Sequence, residues 1–272
     1  MADFTLLMSV YAGDKAEFLR AALESATTAQ TLPPTRVVIV RDGPVGADVQ
    51  AVLDEYGGRP QFEVVPLERN GGLAGALNAG LAHVATPLVA RMDADDICAP
   101  QRFERQLPLF EAGCDVVGAA ITEFTDDVAN PGMVRHVRTD PDEIARAART
   151  ASPLHHPTVM FRAAVVAGVG GYPELARMED YLLWAKLIMA GARVGNVDEP
   201  LVYYRVGAGA YARRGGMAMW RSERALQAEF LRMGFTTRAQ WARNLVLRGP
   251  LYRLMPQGLR QVGYRLWRRA GG

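Results

Sequence analysis

The sequence predicts an α/β protein: a mostly parallel, mixed sheet flanked by helices, with a helical C-terminal appendage. Three observations predict it. Apolar strand-like runs alternate with helical segments, the rhythm of right-handed crossover units. Polar residues stand at the ends of those runs (Tyr11, Asp42 and Asp93), where ligands of such sheets bind. Asp93-Ala94-Asp95 follows the apolar run 87–92, and alternation along an extended chain aims both carboxylates at one ligand. Two like charges that close call for a cation or strong donors, and a divalent metal bridging to phosphates supplies one.

The elements follow in order. Phe4–Tyr11 is an apolar strand, and Asp14-Lys15-Ala16-Glu17 reads as a capping box for the next helix. That helix lines up Phe18, Leu19, Ala22, Leu23 and Ala26 on one face. Pro33-Pro34 closes the unit; Arg36–Val40 is a second strand, running into the polar turn Arg41-Asp42-Gly43-Pro44. Phe62–Leu67 is a third strand. The segment 70–81 is a glycine-rich turn into a small-residue helix, and the strand bearing the acids comes next. Asp96 is placed to cap a helix beginning near Pro100-Gln101-Arg102-Phe103. Further on, Glu179-Asp180 opens a helix whose Tyr181, Leu182, Trp184, Ala185 and Ile188 form an apolar face.

Composition fits one large α/β unit with an appendage: 272 residues and a net charge of +2. Two cysteines, Cys98 and Cys114, are too few for a disulfide framework, and a cytoplasmic location is the expectation. No run of about 18 apolar residues occurs. The charge is unevenly spread, since no acid follows Glu229 while nine arginines do. Those arginines alternate with Trp241, Tyr252, Tyr264, Trp267 and aliphatic residues, the composition of a basic amphipathic segment at an anionic membrane surface or of a packed helical pair. Without a recognised module, no nucleic-acid partner is expected.

Five motifs in order, Ser9-Val10-Tyr11, Arg41-Asp42-Gly43, Asn70-Gly71-Gly72-Leu73-Ala74, Asp93-Ala94-Asp95-Asp96 and Glu179-Asp180-Tyr181-Leu182-Leu183-Trp184, make the chain similar to family 2 glycosyltransferases. The match spans about Thr5 to Gly216. His156–Arg162 and Arg213-Arg214-Gly215-Gly216 resemble the branch containing the amylovoran-type exopolysaccharide transferases. Arg41 departs from the pattern, since the family often has a second acid there.

The resemblance implies a GT-A fold, Rossmann-like, with a catalytic domain over 1–216 (nucleotide-sugar half about 1–97, acceptor half about 98–216) and an extension over 217–272. It implies a metal-dependent, inverting transferase of hexosyltransferase type, taking a UDP-sugar to a saccharide or lipid-linked acceptor. Absence of a Gln-x-x-Arg-Trp motif makes it non-processive. The nucleotide-sugar site would comprise Val10, Tyr11, Asp42, Gly72, Leu73, Asn78, Arg91, Asp93, Ala94, Arg205, Arg213 and Arg214. Tyr11 is suited to stack on the base and Asp42 to accept the uracil imide N–H. Gly71-Gly72 lets the backbone pass close to the nucleotide. Asp95, with Asp93, would hold Mn2+ or Mg2+. Asp180 would be the general base and Glu179 would orient the acceptor. Adjacent helical residues diverge by about 100°, so one of the pair faces the crevice. Arg205, Arg213 and Arg214 flank a glycine- and alanine-rich loop suited to close over the diphosphate. His155-His156 points both ways along a strand and suits packing better than a shared metal; Cys98 suits a buried filler. The competing class is a catalytically silent nucleotide-sugar-binding module, and the joint presence of Asp42, Asp93, Asp95 and Asp180 favours the enzyme.

Overall fold

The computed structural model describes residues 3–207 and 216–253, with side chains of the last helix described to Arg248. Strands β1 (Phe4–Tyr11), β2 (Arg36–Asp42), β3 (Phe62–Pro66) and β4 (Leu88–Met92) lie parallel in the order β3-β2-β1-β4. Helices α1 (Ala16–Ala26), α2 (Ala47–Gly57) and α3 (Gly72–Leu81) connect them. Both faces of this sheet are covered, which is why the strands are continuous apolar runs. Alternation sorts their side chains: Leu6, Met8 and Val10 of β1 join one core with α1 and α2. Leu7 joins the other, against Ala76 and Leu77 of α3. The small residues of α3 let it sit close: a Cβ on Gly80 would stand 2.4 Å from Leu7 Cδ1.

The chain then crosses to β5 (Ile97–Cys98), α4 (Arg102–Glu111), β6 (Val116–Phe124), β7 (Val134–Arg135), α5 (Pro141–Ala147), a 3-10 turn at His156–Thr158 and β8 (Met160–Arg162). Strand β8 sits between β4 and β6, antiparallel to both, and so mixes the sheet. Helices α6 (Ala163–Gly168) and α7 (Glu179–Met189) precede β9 (Val194–Arg205), which runs parallel to β6 and antiparallel to β5. Helices α8 (Met217–Arg232) and α9 (Arg238–Arg253) follow.

Helix α7 buries more than the single face expected. Leu183, Trp184 and Leu187 join the core under the sheet. Tyr181, Leu182 and Ala185 join a third cluster with Leu226, Phe230 and Phe235 from α8 and beyond. The helix carrying Glu179 and Asp180 is thus wedged between sheet and appendage.

Two expected caps are corrected. Lys15, not Asp14, precedes α1 and makes no side-chain cap. Asp14 turns back instead: its Oδ2 accepts from Tyr11 N at 2.9 Å, closing the tight β1–α1 turn. Asp96 does not cap α4, which starts at Arg102 after Gln101. Asp96 is fully buried and accepts from Arg205 N at 2.8 Å, tying the acid loop to the end of β9.

Candidate active site

A crevice opens where β1, β2 and β4 end. Tyr11, half exposed, is in register with Asp42 across β1 and β2. Val10 is buried, so only its backbone is available to a ligand there. Asp42 is also buried; its Oδ1 accepts from Gly71 N at 2.7 Å, and its carbonyl accepts from Asn70 Nδ2 at 3.3 Å. One carboxylate thereby shapes the glycine-rich turn and keeps a second oxygen for a ligand. Gly72 is left-handed (φ +78°), and Leu73 follows it into α3. Arg41 turns away to α2, where Nη1 donates to Gln50 Oε1 at 2.9 Å.

The acid loop rests on a buried arginine. Arg91 lies on the same face of β4 as Val89 and is 1% exposed. Its Nη1 donates to Asp93 Oδ2 at 2.9 Å and its Nη2 to Asp93 Oδ1, a bidentate pair. Arg91 thus acts through Asp93 in this arrangement. Arg102, also buried, donates from Nη2 to the Arg91 carbonyl at 2.7 Å. Ala94 is buried and Asp95 half-buried. Arg205 donates from Nε to the Asp95 carbonyl at 2.8 Å, and its guanidinium stacks on Phe18 and Phe124 at 3.9 and 4.4 Å. That guanidinium supports the acid loop rather than reaching over it. Arg213 and Arg214 lie outside the described residues.

Asp14 adds a carboxylate that the sequence pattern assigned elsewhere. Burial, and then the charges of Asp95 and Asp93, push it up to about 7. Burial and Asp93 likewise push Asp95 up to about 6. Asp96 is raised well above the carboxylate range by burial and by the same two acids. The loop therefore concentrates negative charge that Arg91 and Arg205 only partly offset. Among the described residues, no three His, Cys, Asp or Glu side chains are arranged as a metal cage.

The charge of Arg91 also reaches across the crevice to Glu179 and Asp180 at the start of α7. Glu179 is buried, with Oε2 unpartnered, and Asp180 is half-buried. Burial, then the neighbouring Glu179, push Asp180 up to about 6. Beneath them His156 packs on Tyr172 and Trp184 and shares a 3.0 Å hydrogen bond with the Tyr172 hydroxyl. It is a core residue, held far below its usual range by burial and Arg91. Both ends of the Asn78 amide are bonded to the backbone of Tyr172. Cys98 is buried against Met92 and Arg102.

The family model for glycosyl transferase family 2 matches residues 5–168. The chain belongs to this family. Among its relatives, the amylovoran biosynthesis glycosyltransferase AmsE of Erwinia amylovora is 38% identical over 222 residues, 81% of this chain and 82% of the relative. The UDP-Gal:alpha-D-GlcNAc-diphosphoundecaprenol beta-1,3-galactosyltransferase of Escherichia coli is 32% identical over 264 residues, 96% of this chain and 95% of the relative. S. aureus TarS (1–349), solved with UDP-GlcNAc, superposes with a TM-score of 0.68 at 20% identity, over 89% of this chain and 70% of that one. The mannosyltransferase PcManGT of Pyrobaculum calidifontis, solved with GDP-Man and Mn2+, gives 0.64 at 17% identity, over 97% and 79%. These likenesses establish the GT-A fold for this family 2 glycosyltransferase.

Proposed function

We propose that this glycosyltransferase moves a sugar from a UDP-sugar to a saccharide or lipid-linked acceptor during polysaccharide or glycolipid assembly, by single displacement with inversion and one sugar at a time. The observation that carries the reading is the gathering of Tyr11, Asp42 and Asp93 at the ends of neighbouring parallel strands, with Asp93 held in a bidentate pair by the buried Arg91. The names of the E. coli relative and of the TarS complex support a UDP-sugar donor, and the former supports a diphosphate-lipid acceptor.

The residues take these roles. Tyr11 stacks on the base, and the free oxygen of Asp42 accepts the uracil imide N–H. The Gly72-Leu73 turn brings free backbone N–H groups to the diphosphate. Asp93, fixed by Arg91, faces the ribose and metal side. Asp95 fits a hard cation: it is half-buried, oxygen-only and crowded by Asp93. Mn2+ or Mg2+ held there would neutralise charge developing on the leaving diphosphate. Asp180 takes the proton from the acceptor hydroxyl; that oxygen attacks the anomeric carbon from the side opposite the diphosphate, which leaves with the bonding pair. Glu179, beside Asp180 in the first turn of α7, orients the acceptor. The catalytic domain is residues 1–216, and the extension over 217–272 begins with α8 and α9.

We place the enzyme in the cytoplasm, peripheral at the inner membrane face. No helix among the described residues is long and apolar enough to cross a membrane. Helix α9 turns Asn244 and Arg248 inward, leaving Val246 and Leu247, 70% and 67% exposed, on its outer side near exposed Arg243. Tyr264 and Trp267 lie outside the described residues.

Thermal-shift measurements against a panel of nucleotides and nucleotide sugars, with and without manganese, test the donor assignment. Stabilisation by UDP and at least one UDP-sugar, enlarged by manganese, is expected. No shift with any nucleotide would overturn it.

A further inference from the structure

The half-buried amide of Asn78, on α3, is spent on one residue 94 positions away. Its Nδ2 donates to the Tyr172 carbonyl at 2.8 Å, and its Oδ1 accepts from Tyr172 N at 2.8 Å. A side chain that satisfies both backbone groups of a single residue takes the place of a β-ladder partner and fixes that residue in position and orientation. The preceding Gly171 is left-handed (φ +74°), and a Cβ there would stand 2.5 Å from Asn78 Oδ1. Glycine is needed on both counts, for the backbone and for the approach.

Both ends of this contact lead to the reaction. Helix α3 begins at Gly72 and Leu73, the turn shaped by Asp42. Tyr172 continues through its hydroxyl to His156, and the His156 ring meets Trp184 edge-on at 5.9 Å. Trp184, fully buried, belongs to α7, which opens with Glu179-Asp180. A packed chain Asn78–Tyr172–His156–Trp184 therefore spans the two halves of the crevice below its floor.

We propose that the Asn78 amide is a latch that sets the spacing between the donor-binding turn and the catalytic helix. It is a positioning residue for transfer, not a nucleotide contact. The inference rests on the donor and base roles proposed above. Misplacement of reacting groups by about 1 Å can cost about a hundredfold in rate, so a latch of this kind acts on kcat while leaving donor affinity alone.

The test uses the full chain carrying Asn78→Ala, with Asn78→Asp as the conservative partner. Asn78→Asp keeps the acceptor for Tyr172 N and loses the donor to Tyr172 O, so it keeps the test open if Asn78→Ala does not fold. Three readings are taken: hydrogen exchange at the Tyr172 amide, UDP affinity by calorimetry, and kcat with saturating donor. In Asn78→Ala the expected results are at least about tenfold faster exchange at Tyr172, UDP affinity within about threefold of wild type and kcat lower by about tenfold to a hundredfold. Asn78→Asp falls between. UDP affinity lost in step with kcat would make Asn78 a nucleotide contact, and unchanged kcat or unchanged Tyr172 exchange would remove the latch. The exchange reading needs no substrate. A wild-type chain that neither binds UDP nor transfers sugar would defeat the proposed function while leaving the Tyr172 result to stand separately.

Discussion

In the base role proposed for Asp180, burial prepares the carboxylate for its chemistry. Burial and Glu179 raise it to about 6, nearer the pH at which a base must accept and later release a proton. The ionised form is the active one, so kcat/KM for the acceptor is expected to be flat above about pH 6 and to fall about tenfold per pH unit below it. A pH profile with no break between 5 and 7 would count against the assignment. The same shift has a stability sign. A carboxyl whose folded value is raised resists ionising in the folded state: the cost is absent below the unfolded value, grows between the two values and is full above about pH 6. Asp180→Asn should therefore raise Tm at pH 8, with a gain that shrinks toward pH 4; an equal gain at both would mean that charge is not the cause. Asp95→Ala is expected to keep the fold and to lose the manganese-dependent part of UDP affinity, read by calorimetry; unchanged affinity with metal present would remove Asp95 from the metal site. Asp42 and Asp93 were legible in the sequence because they stand at strand ends; the period-two alternation expected to align Asp93 with Asp95 is corrected, since β4 ends at Met92 and Ala94-Asp95 form a turn. The burial of Arg91 was not legible, since an arginine inside an apolar strand becomes intelligible only when its bidentate pair with Asp93 is seen. Asp14 satisfies a capping pattern by its spacing to Glu17, whereas in the fold the Tyr11 amide claims its side chain.

At the scale of elements, α7 depends on its neighbours on both sides, and the appendage holds one of them. Glu223 of α8 is fully buried and accepts from Arg248 Nη1 at 3.0 and 2.8 Å, while Arg248 Nη2 donates to the Thr150 carbonyl. Asn244 donates to the Arg149 carbonyl at 2.8 Å and to Gln227 Oε1 at 3.1 Å. The Phe230 ring meets Tyr181, next to Asp180, edge-on at 5.0 Å. Removing one partner of a buried pair leaves an uncompensated charge and typically costs about 3–5 kcal/mol. Arg248→Ala should lose that much in urea unfolding, whereas replacing both partners by leucine should cost much less; equal losses would show that packing, not charge, holds the hairpin. Composition leaves the basic tail open between a membrane-surface segment and a packed helical pair, because it cannot tell an inward arginine from an outward one. Strand β8 was invisible for a related reason: a three-residue strand inserted antiparallel between β4 and β6 carries no period of its own. Helix α2 carries a legible signal between the polar turn and β3, with Val49, Val52, Leu53 and Tyr56 at helical spacing.

For the molecule as a whole, the parallel order β3-β2-β1-β4 gathers Tyr11, Asp42 and Asp93 at neighbouring strand ends, and β8 joins that half to β6 in one sheet. The excess of arginine after Glu229 then bears on where the enzyme works. Because α9 packs inward through Asn244 and Arg248, a cut before Trp241 would remove structure as well as charge. The informative truncation follows Arg253. Full-length chain is expected to cosediment with anionic vesicles and not neutral ones, salt-sensitively, since each arginine near anionic lipid is worth about 1 kcal/mol. The truncated chain should bind several-fold less, and equal partition of the two would assign the tail no membrane role. The proposed reaction needs one crevice to join a nucleotide-sugar to a base at the start of α7. It is tested most directly by following transfer from labelled UDP-sugars to a diphosphate-lipid-linked N-acetylglucosamine acceptor, in wild type and Asp180→Asn, with UDP affinity measured on both. Wild type should transfer from at least one UDP-sugar, and Asp180→Asn should bind UDP normally while losing about a hundredfold or more in kcat. Transfer by Asp180→Asn within a few-fold of wild type would contradict the account.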